Sequence, residues 1–417
     1  MKDTENTRPN APTSALPNST LSNVPRLRFP GFEGEWEKVT LGEIVDRVTR
    51  KNKNLETNRP LTISAQYGLI DQTDYFKKIV AGQDLTNYYL IYNGEFAYNK
   101  SYSSEYPWGA IKRLDSYDKG VLSSLYICFK PKLSYESDFL VHYFESSKWH
   151  QGIADIAGEG ARNHGLLNIS VSDYFKTEHF LPGTEEQRKI SQFLNLIEER
   201  ISIQNKTIED LIRLRTALYS SLFAKGRNIS TILSDMGEYY STMNLSKDDL
   251  SPSGQECILY GELFTTYGRV ITEIKSRTNI GLSSGTTLSS SNDLLFPAST
   301  TVDALSLVSP SAISKNGVIL GGDMFGIRLN ENYNNRYMSR LLFHCYRRKL
   351  ASYAQGSTII HLHYRDIEKI KIKVHPKIEQ DRIAEALDML DNRIELEQKI
   401  VKEYSSQKNY LIKMMFI

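Results

Sequence analysis

Between Thr184 and Ala224, apolar residues recur at alternating steps of four and three: Ile190, Leu194, Ile197, Ile201, Ile208, Leu211, Leu218 and Leu222. Gln204 and Arg215 fill the two remaining places of this stripe. Such a run is a heptad seam along one face of an α-helix. Adding 193 to every number produces a second seam: Ile383, Leu387, Leu390, Ile394, Val401, Tyr404, Leu411 and Met415, with Glu397 and Lys408 as its polar breaks. The breaks fall at the same two places. Neither segment holds a Gly or Pro over about forty residues, so each predicts one continuous helix about 60 Å long. Two matching seams predict an antiparallel coiled coil. Thr184 and Gln187 have the spacing of a capping box, whereas the second helix follows Pro376 with Lys377 where Thr184 would stand, a weaker start.

The repeat continues upstream. VSDYFKTEHFLP (171–182) aligns at the same offset with YRDIEKIKIKVH (364–375), and both read as a short helix followed by a strand. Before them come amphipathic helices near Ser137 to Ile156 and Asn335 to Ala354. Farther back, YYLIYNGEFAYN reads as a hairpin turning at Asn93-Gly94, and GVLSSLYICF stands beside NGVILGGDMFGIRL as strand-like runs. The expected architecture is α+β with a pseudo-two-fold internal repeat: a disordered tail over 1–24, rich in Asn, Pro, Ser and Thr; a globe over 25–183; a long helix over 184–226; a second globe over 227–375; and a second long helix over 376–417.

With 417 residues, the chain is long enough for two or three domains that each bury a core. Lys plus Arg number 51 and Asp plus Glu 49, a formal charge of +2, which excludes both a histone-like polycation and an acidic disordered chain. No stretch reaches the roughly 18 apolar residues of a membrane span and the N-terminus lacks an apolar signal core, so a cytoplasmic protein is expected. Cys128, Cys257 and Cys345 form no Cys-x-x-Cys pair, which argues against a disulfide framework or a thiolate zinc site; all three read as small buried apolar residues.

Catalytic motifs are missing. There is no phosphate-binding Gly-x-x-x-x-Gly-Lys-Ser/Thr loop and no Asn/Asp-Pro-Pro-aromatic sequence of an amino-methyltransferase. Glu273-Ile274-Lys275 and Glu397-Gln398-Lys399 match only the tripeptide of a magnesium nuclease, and the second lies in a heptad helix. His361 and His363 share a strand face, with His375 beyond a short helix as the nearest further imidazole; a solvated strand is the reading preferred over a metal site. What remains are polar, aromatic and basic loops on rigid elements, as nucleic-acid readout requires. In the first globe these are Lys100, Ser101, Tyr102 and Ser103 after the strand ending at Tyr98, then Lys112 and Arg113, and Arg162, Asn163 and His164 in a glycine-bearing loop. In the second globe they are Thr300 and Thr301, then Gln355, Ser357 and Thr358, with Arg269 and Arg277 as phosphate candidates. The loops of the two sets sit at equivalent points of the repeat.

LRFPGFEGEWEKVTLGEI (27–44), the helix starts EEQRKI and IEQDRI, and the duplicated plan resemble the DNA-specificity subunit of bacterial Type I restriction-modification enzymes. ISAQYGLIDQTDYF (63–76) and EFAYNKSYSSEYPWGAIKRLD (95–115) resemble one class of its target-recognition domains; the second globe departs more from that pattern. The resemblance implies that each globe reads one half of a split double-stranded DNA site and that the helix pair sets the gap between the halves. It also implies a chain with no catalysis and no cofactor of its own. Two methylation subunits would bind S-adenosylmethionine, and two motor-nuclease subunits would use ATP and Mg. The near-neutral charge leaves two answers open for phosphate affinity: charge segregated between helices and reading faces, or a clamp supplied by the methylation subunits. The competing readings are a protein scaffold without nucleic acid, and a fused methyltransferase or nuclease with unrecognised motifs.

Overall fold

The computed structural model describes residues 23–64, 68–76, 82, 84–101, 103, 106–157, 165–242, 244–283 and 285–417. The tail expected over 1–24 thus lies outside the described residues except for Asn23 and Val24. The chain divides into two units, one of residues up to Ile203 together with Val401–Ile417, the other Gln204–Ile400. Each unit therefore holds one globe and a part of each long helix.

In the first unit a four-stranded antiparallel sheet runs in the order Val45–Val48, Ile127–Pro131, Phe96–Asn99, Ala110–Arg113. Phe96 faces Phe129 across the ladder, their rings stacked at 5.5 Å and within 6° of parallel. Phe139, Tyr143, Phe144, Trp149 and Tyr174 complete an aromatic core with them. Leu411, Ile412, Met415 and Phe416, at the end of the second long helix, are buried in that same core beside Ile190 and Leu194 of the first. The segment carrying the Arg-Phe-Pro-Gly-Phe sequence straps the helix ends: Leu27 N–H donates to the Met414 carbonyl at 2.9 Å, and the Arg28 guanidinium grips Glu186 through two 2.7 Å bonds. Phe29 meets Phe193 edge-on at 5.5 Å.

The second unit repeats the plan with more strands. A five-stranded sheet runs Gly237–Ser241, Met324–Leu329, Asp293–Pro297, Ser311–Ile313, Val270–Ile271, beside a three-stranded sheet of Ser276–Thr278, Leu250–Leu259 and Ile319–Gly321. Phe296 and Phe325 oppose each other in register and stack at 4.9 Å and 6°, as Phe96 and Phe129 do. In both units the strand before a long helix pairs antiparallel with a strand at the globe's entry: Glu178–Leu181 with Glu37–Thr40, and Lys371–Val374 with Ile229–Ile232. Short helices Val171–Tyr174 and Tyr364–Ile367 precede those strands, as the aligned sequences predict.

The long helices span Thr184–Leu222 and Lys377–Met415. Every seam position is buried or half-buried, including the polar breaks. In the second unit Gln204 donates to Glu397, the two breaks meeting each other, and Arg215 donates to Asp391 at 2.9 Å. In the first unit Arg200 donates to the Tyr404 hydroxyl at 3.3 Å, and Lys408 donates to Glu198. Rising numbers on one helix meet falling numbers on the other, so the pair is antiparallel. Arg215 with Asp391 and Lys408 with Glu198 are one interaction written twice, since each partner lies 193 residues from its counterpart.

Four local expectations are corrected. Thr184 does not cap the first helix through Gln187: its hydroxyl donates to the Ser134 carbonyl, while Gln187 donates to the Pro182 carbonyl and accepts from Glu136 N–H. The equivalent Gln380 makes the same two bonds, to His375 and from Asn334, so this glutamine clamps each helix start to its globe. Asn93-Gly94 is a turn but not a hairpin. Tyr89–Tyr92 pairs with Lys119–Leu122, whereas Phe96–Asn99 enters the other sheet, because Glu95 accepts from Tyr92 N–H and from Arg50 and diverts the strand. The amphipathic helices are interrupted, the first between Glu145 and His150, the second by a π-helical turn at Leu342–Tyr346. Finally, Cys128 and Cys257 are buried, but Cys345, on that π-helical turn, is exposed.

Lys408 also donates to Glu145 at 2.7 Å. Burial acts against the Glu145 carboxylate, yet Lys408, then Lys112, more than offset it and hold its pKa below the ordinary range. Replacing Lys408 by Met leaves Glu145, still 3.5 Å from Lys112, facing Glu198 without the ammonium that bonds them both. We expect a loss of about 2 kcal/mol, discounted for the partial exposure of Glu198. The loss should shrink as pH falls through the carboxylate range and largely vanish in the K408M/E198Q double variant. Urea denaturation at pH 7 and pH 5 checks this.

Candidate nucleic-acid interface

Each unit joins a sheet strand's end to the base of a polar loop. In the first, the chain leaves the strand Phe96–Asn99 through Lys100 and Ser101. Leu167 N–H donates to the Lys100 carbonyl at 3.0 Å, and Ser101 bridges to Leu166. The Asn99 side chain accepts from Ser101 N–H at 3.0 Å, and Ser103 exchanges bonds with Tyr106. Leu166 and Leu167 directly follow the glycine-bearing loop. Tyr102, Arg162, Asn163 and His164 lie outside the described residues.

In the second unit, Ser299–Thr300, just past the strand Asp293–Pro297, pairs with Ile360–His361. A tight hairpin precedes that strand: Gln355 N–H donates to the His361 carbonyl at 2.9 Å and His361 N–H returns the bond at 2.7 Å. Its turn requires Gly356, whose φ is +120° and where a Cβ would stand 2.0 Å from the Ile359 carbonyl oxygen. Ser357 and Thr358 are exposed at the tip, and Gln355 and Thr301 are exposed beside it. Thr300 is buried, its hydroxyl accepting from Val302 N–H at 3.2 Å. The structure thus brings Thr300 and Thr301 together with Gln355, Ser357 and Thr358.

The basic candidates have partners inside the fold. Lys112 lies 3.5 Å from Glu145. Arg113 donates to Asp115, Ser137 and Asp138 at 2.6–2.9 Å. Arg277 donates to the Gly254 carbonyl at 2.9 Å and remains half-exposed near Glu256. Arg269 donates to the Pro310 carbonyl and the Ser309 hydroxyl and lies 4.2 Å over the Phe343 ring. Burial pushes its pKa down to about 10, with Arg347 adding to the shift.

His361 and His363 do share a face, their rings parallel within 4° at 5.8 Å, with Asp323 3.7 Å from His361. His375 belongs elsewhere, buried between Tyr337 and the Lys225 carbonyl. In the first unit His179, at a different position of the repeat, bonds Tyr143 and Thr177, and burial pushes its pKa down to about 4, so the imidazole stays neutral. Sequence reasoning set His361 and His363 aside as a solvated strand; the available signal was their alternation directly after the Gln355–Thr358 loop. Among the described residues, only His142, Glu145 and Glu198 converge as potential metal donors, and the Lys408 ammonium already bonds both carboxylates.

The family model for the Type I restriction modification DNA specificity domain matches residues 233–403. The S subunit of the Type-I restriction-modification system from M. genitalium superposes with a TM-score of 0.58 at 15% identity, covering 94% of this chain and 99% of that one. A chain from a structure of type I R-M system assembly and conformational transition superposes at 0.51 and 16% identity, over 90% and 96% of the two chains. No curated protein sequence matches the chain. Residues 233–403 are thus similar to the Type I restriction modification DNA specificity domain, and the chain as a whole has the fold of that system's S subunits.

Proposed function

We propose that this chain is the non-catalytic recognition subunit of a Type I restriction-modification enzyme, with residues 25–183 and 227–375 each reading one half of a bipartite DNA site. The observation that carries the reading is the doubled junction just described, Lys100–Ser101 against Leu166–Leu167 and Ser299–Thr300 against Ile360–His361. Base edges need donors and acceptors held at fixed positions, and a strand end tied to a loop base, backed by stacked Phe rings, provides that rigidity. Lys100, Ser101, Tyr102, Ser103, Arg162, Asn163 and His164 make the contacts of the first globe, and Thr301, Gln355, Ser357, Thr358, His361 and His363 those of the second. Lys112, Arg113, Arg269, Arg277 and Thr300 hold the frame. Exchanging 25–183 for the corresponding segment of another S subunit should change one half of the methylated sequence and leave the other half intact. Sequencing of methylated adenines in cells reads this; a change in both halves or in neither would refute it.

The long helices dock two methylation subunits, which bring S-adenosylmethionine, and these in turn recruit two motor-nuclease subunits that use ATP and Mg, in the cytoplasm. Among the described residues no helix is long and apolar enough to cross a membrane. Leu196 and Ile203 are exposed on the first helix at 64% and 55%, and Met389 and Leu396, their counterparts 193 residues on, at 69% and 50% on the second. Exposed apolar pairs repeated at one heptad position suit two copies of one partner. Leu196→Asp with Ile203→Asp should leave complexes with a single methylation subunit, as should Met389→Asp with Leu396→Asp. Native mass spectrometry counts them, and retention of two subunits in both variants would reject this docking face.

A further inference from the structure

The second unit contains an open cleft of about 1200 Å³ between its share of the long helices and the globe loop around Arg269. Arg340 bonds Asp391 at 2.7 Å and pairs with Asp388 at 2.7 Å; Arg215 donates to Asp391, and Arg336 pairs with Asp388. Two carboxylates thus serve three guanidiniums. Arg269, also lining the cleft, bonds the Ser309 hydroxyl and the Pro310 carbonyl and, among the described residues, no carboxylate, so that with Lys275 and Lys315 the lining carries six cations against the four carboxylates of Asp388, Asp391, Glu273 and Glu395. Glu395, on the far wall, is held by Lys399 at 2.9 Å.

The π-helical turn Leu342–Tyr346 places Phe343 and His344 in the lining, and such turns recur at functional sites. Arg269 and Arg347 both pack on the Phe343 ring, at 4.2 and 4.4 Å, two like charges sharing one aromatic. His344 stacks on Tyr219 at 3.7 Å. Burial, then Arg269, Arg215 and Arg340, push its pKa down to about 4, so the imidazole is neutral in a positive field.

We propose that this cleft binds one segment of a protein partner that presents an isolated carboxylate beside an apolar side chain. The carboxylate answers the unmatched guanidinium of Arg269, and Tyr219, Phe343 and Ile212 receive the apolar group. A nucleic-acid strand is a poor occupant, because Asp388, Asp391, Glu273 and Glu395 repel a polyanion. At the equivalent place of the first unit, Lys408 stands for Arg215, Glu198 for Asp391 and Asn195 for Asp388, with Glu145 and Asp138 adjoining. The cation excess is absent there. The site accordingly occurs once per chain and breaks the two-fold of the repeat, and it does not depend on DNA being read.

The test uses the full chain and three probes, 4-phenylbutyrate, its neutral amide and inorganic phosphate, in calorimetric titrations. Phenylbutyrate should bind at one site per chain, about tenfold tighter than the amide. Arg269→Met should abolish the difference. Lys275→Gln, an exposed change that leaves the fold alone, should weaken phenylbutyrate by about two- to fivefold. Equal affinity for acid and amide, two sites per chain, no effect of either variant, or phosphate binding as tightly as phenylbutyrate would each overturn the proposal.

Discussion

A helix seam that buries polar residues can rest in one register only, and the remainder of this protein depends on that restriction. An all-apolar heptad seam tolerates a slip by one repeat at small cost, since Leu and Ile meet Leu and Ile again. Here a slip would strand Gln204, Arg215, Glu397 and Lys408 against hydrocarbon, each losing a charged or hydrogen-bonded partner. Buried ion pairs add little net stability, but they penalise every alternative alignment. Because the helix starts are clamped to the globes through Gln187 and Gln380, a register fixed along the helices becomes a fixed placement of each globe on its own helix end.

Much of this was legible in the sequence. The heptad spacing, the absence of Gly and Pro and the shared offset of 193 located both helices, and every seam position is buried or half-buried. The helix-strand lead-ins were legible for the same reason, since local periodicity decides them. Long-range pairing was not. Asn93-Gly94 carries the composition of a hairpin turn, yet the acceptor bonds of Glu95 send the following strand into another sheet, and nothing local announces them. Likewise, Thr184 and Gln187 have capping-box spacing, but the globe offers Glu136 and Pro182 as better partners.

The candidate site divides along the same line. Loop composition and equivalent placement in the repeat pointed to Lys100–Ser101 and to Thr300 with Gln355–Thr358, segments that the backbone does tie to their counterparts. Basic residues were less readable. Arg113 and Arg269 look the same in sequence as a phosphate-binding arginine, and only the presence of Asp138, or of Ser309 and Phe343, shows them engaged within the domain. His361 and His363 became candidates through their pairing with Ser299–Thr300, a contact about sixty residues distant in sequence.

On the proposed function, the length of the paired long helices sets the spacer between the two half-sites. Inserting one heptad into each long helix at the repeat-equivalent points after Lys206 and Lys399 preserves the seam and lengthens it by about 10 Å, or about three base pairs. Methylation mapping of the variant enzyme should then show both half-sites unchanged and the spacer longer by about three base pairs. Unchanged half-sites with an unchanged spacer would contradict the account.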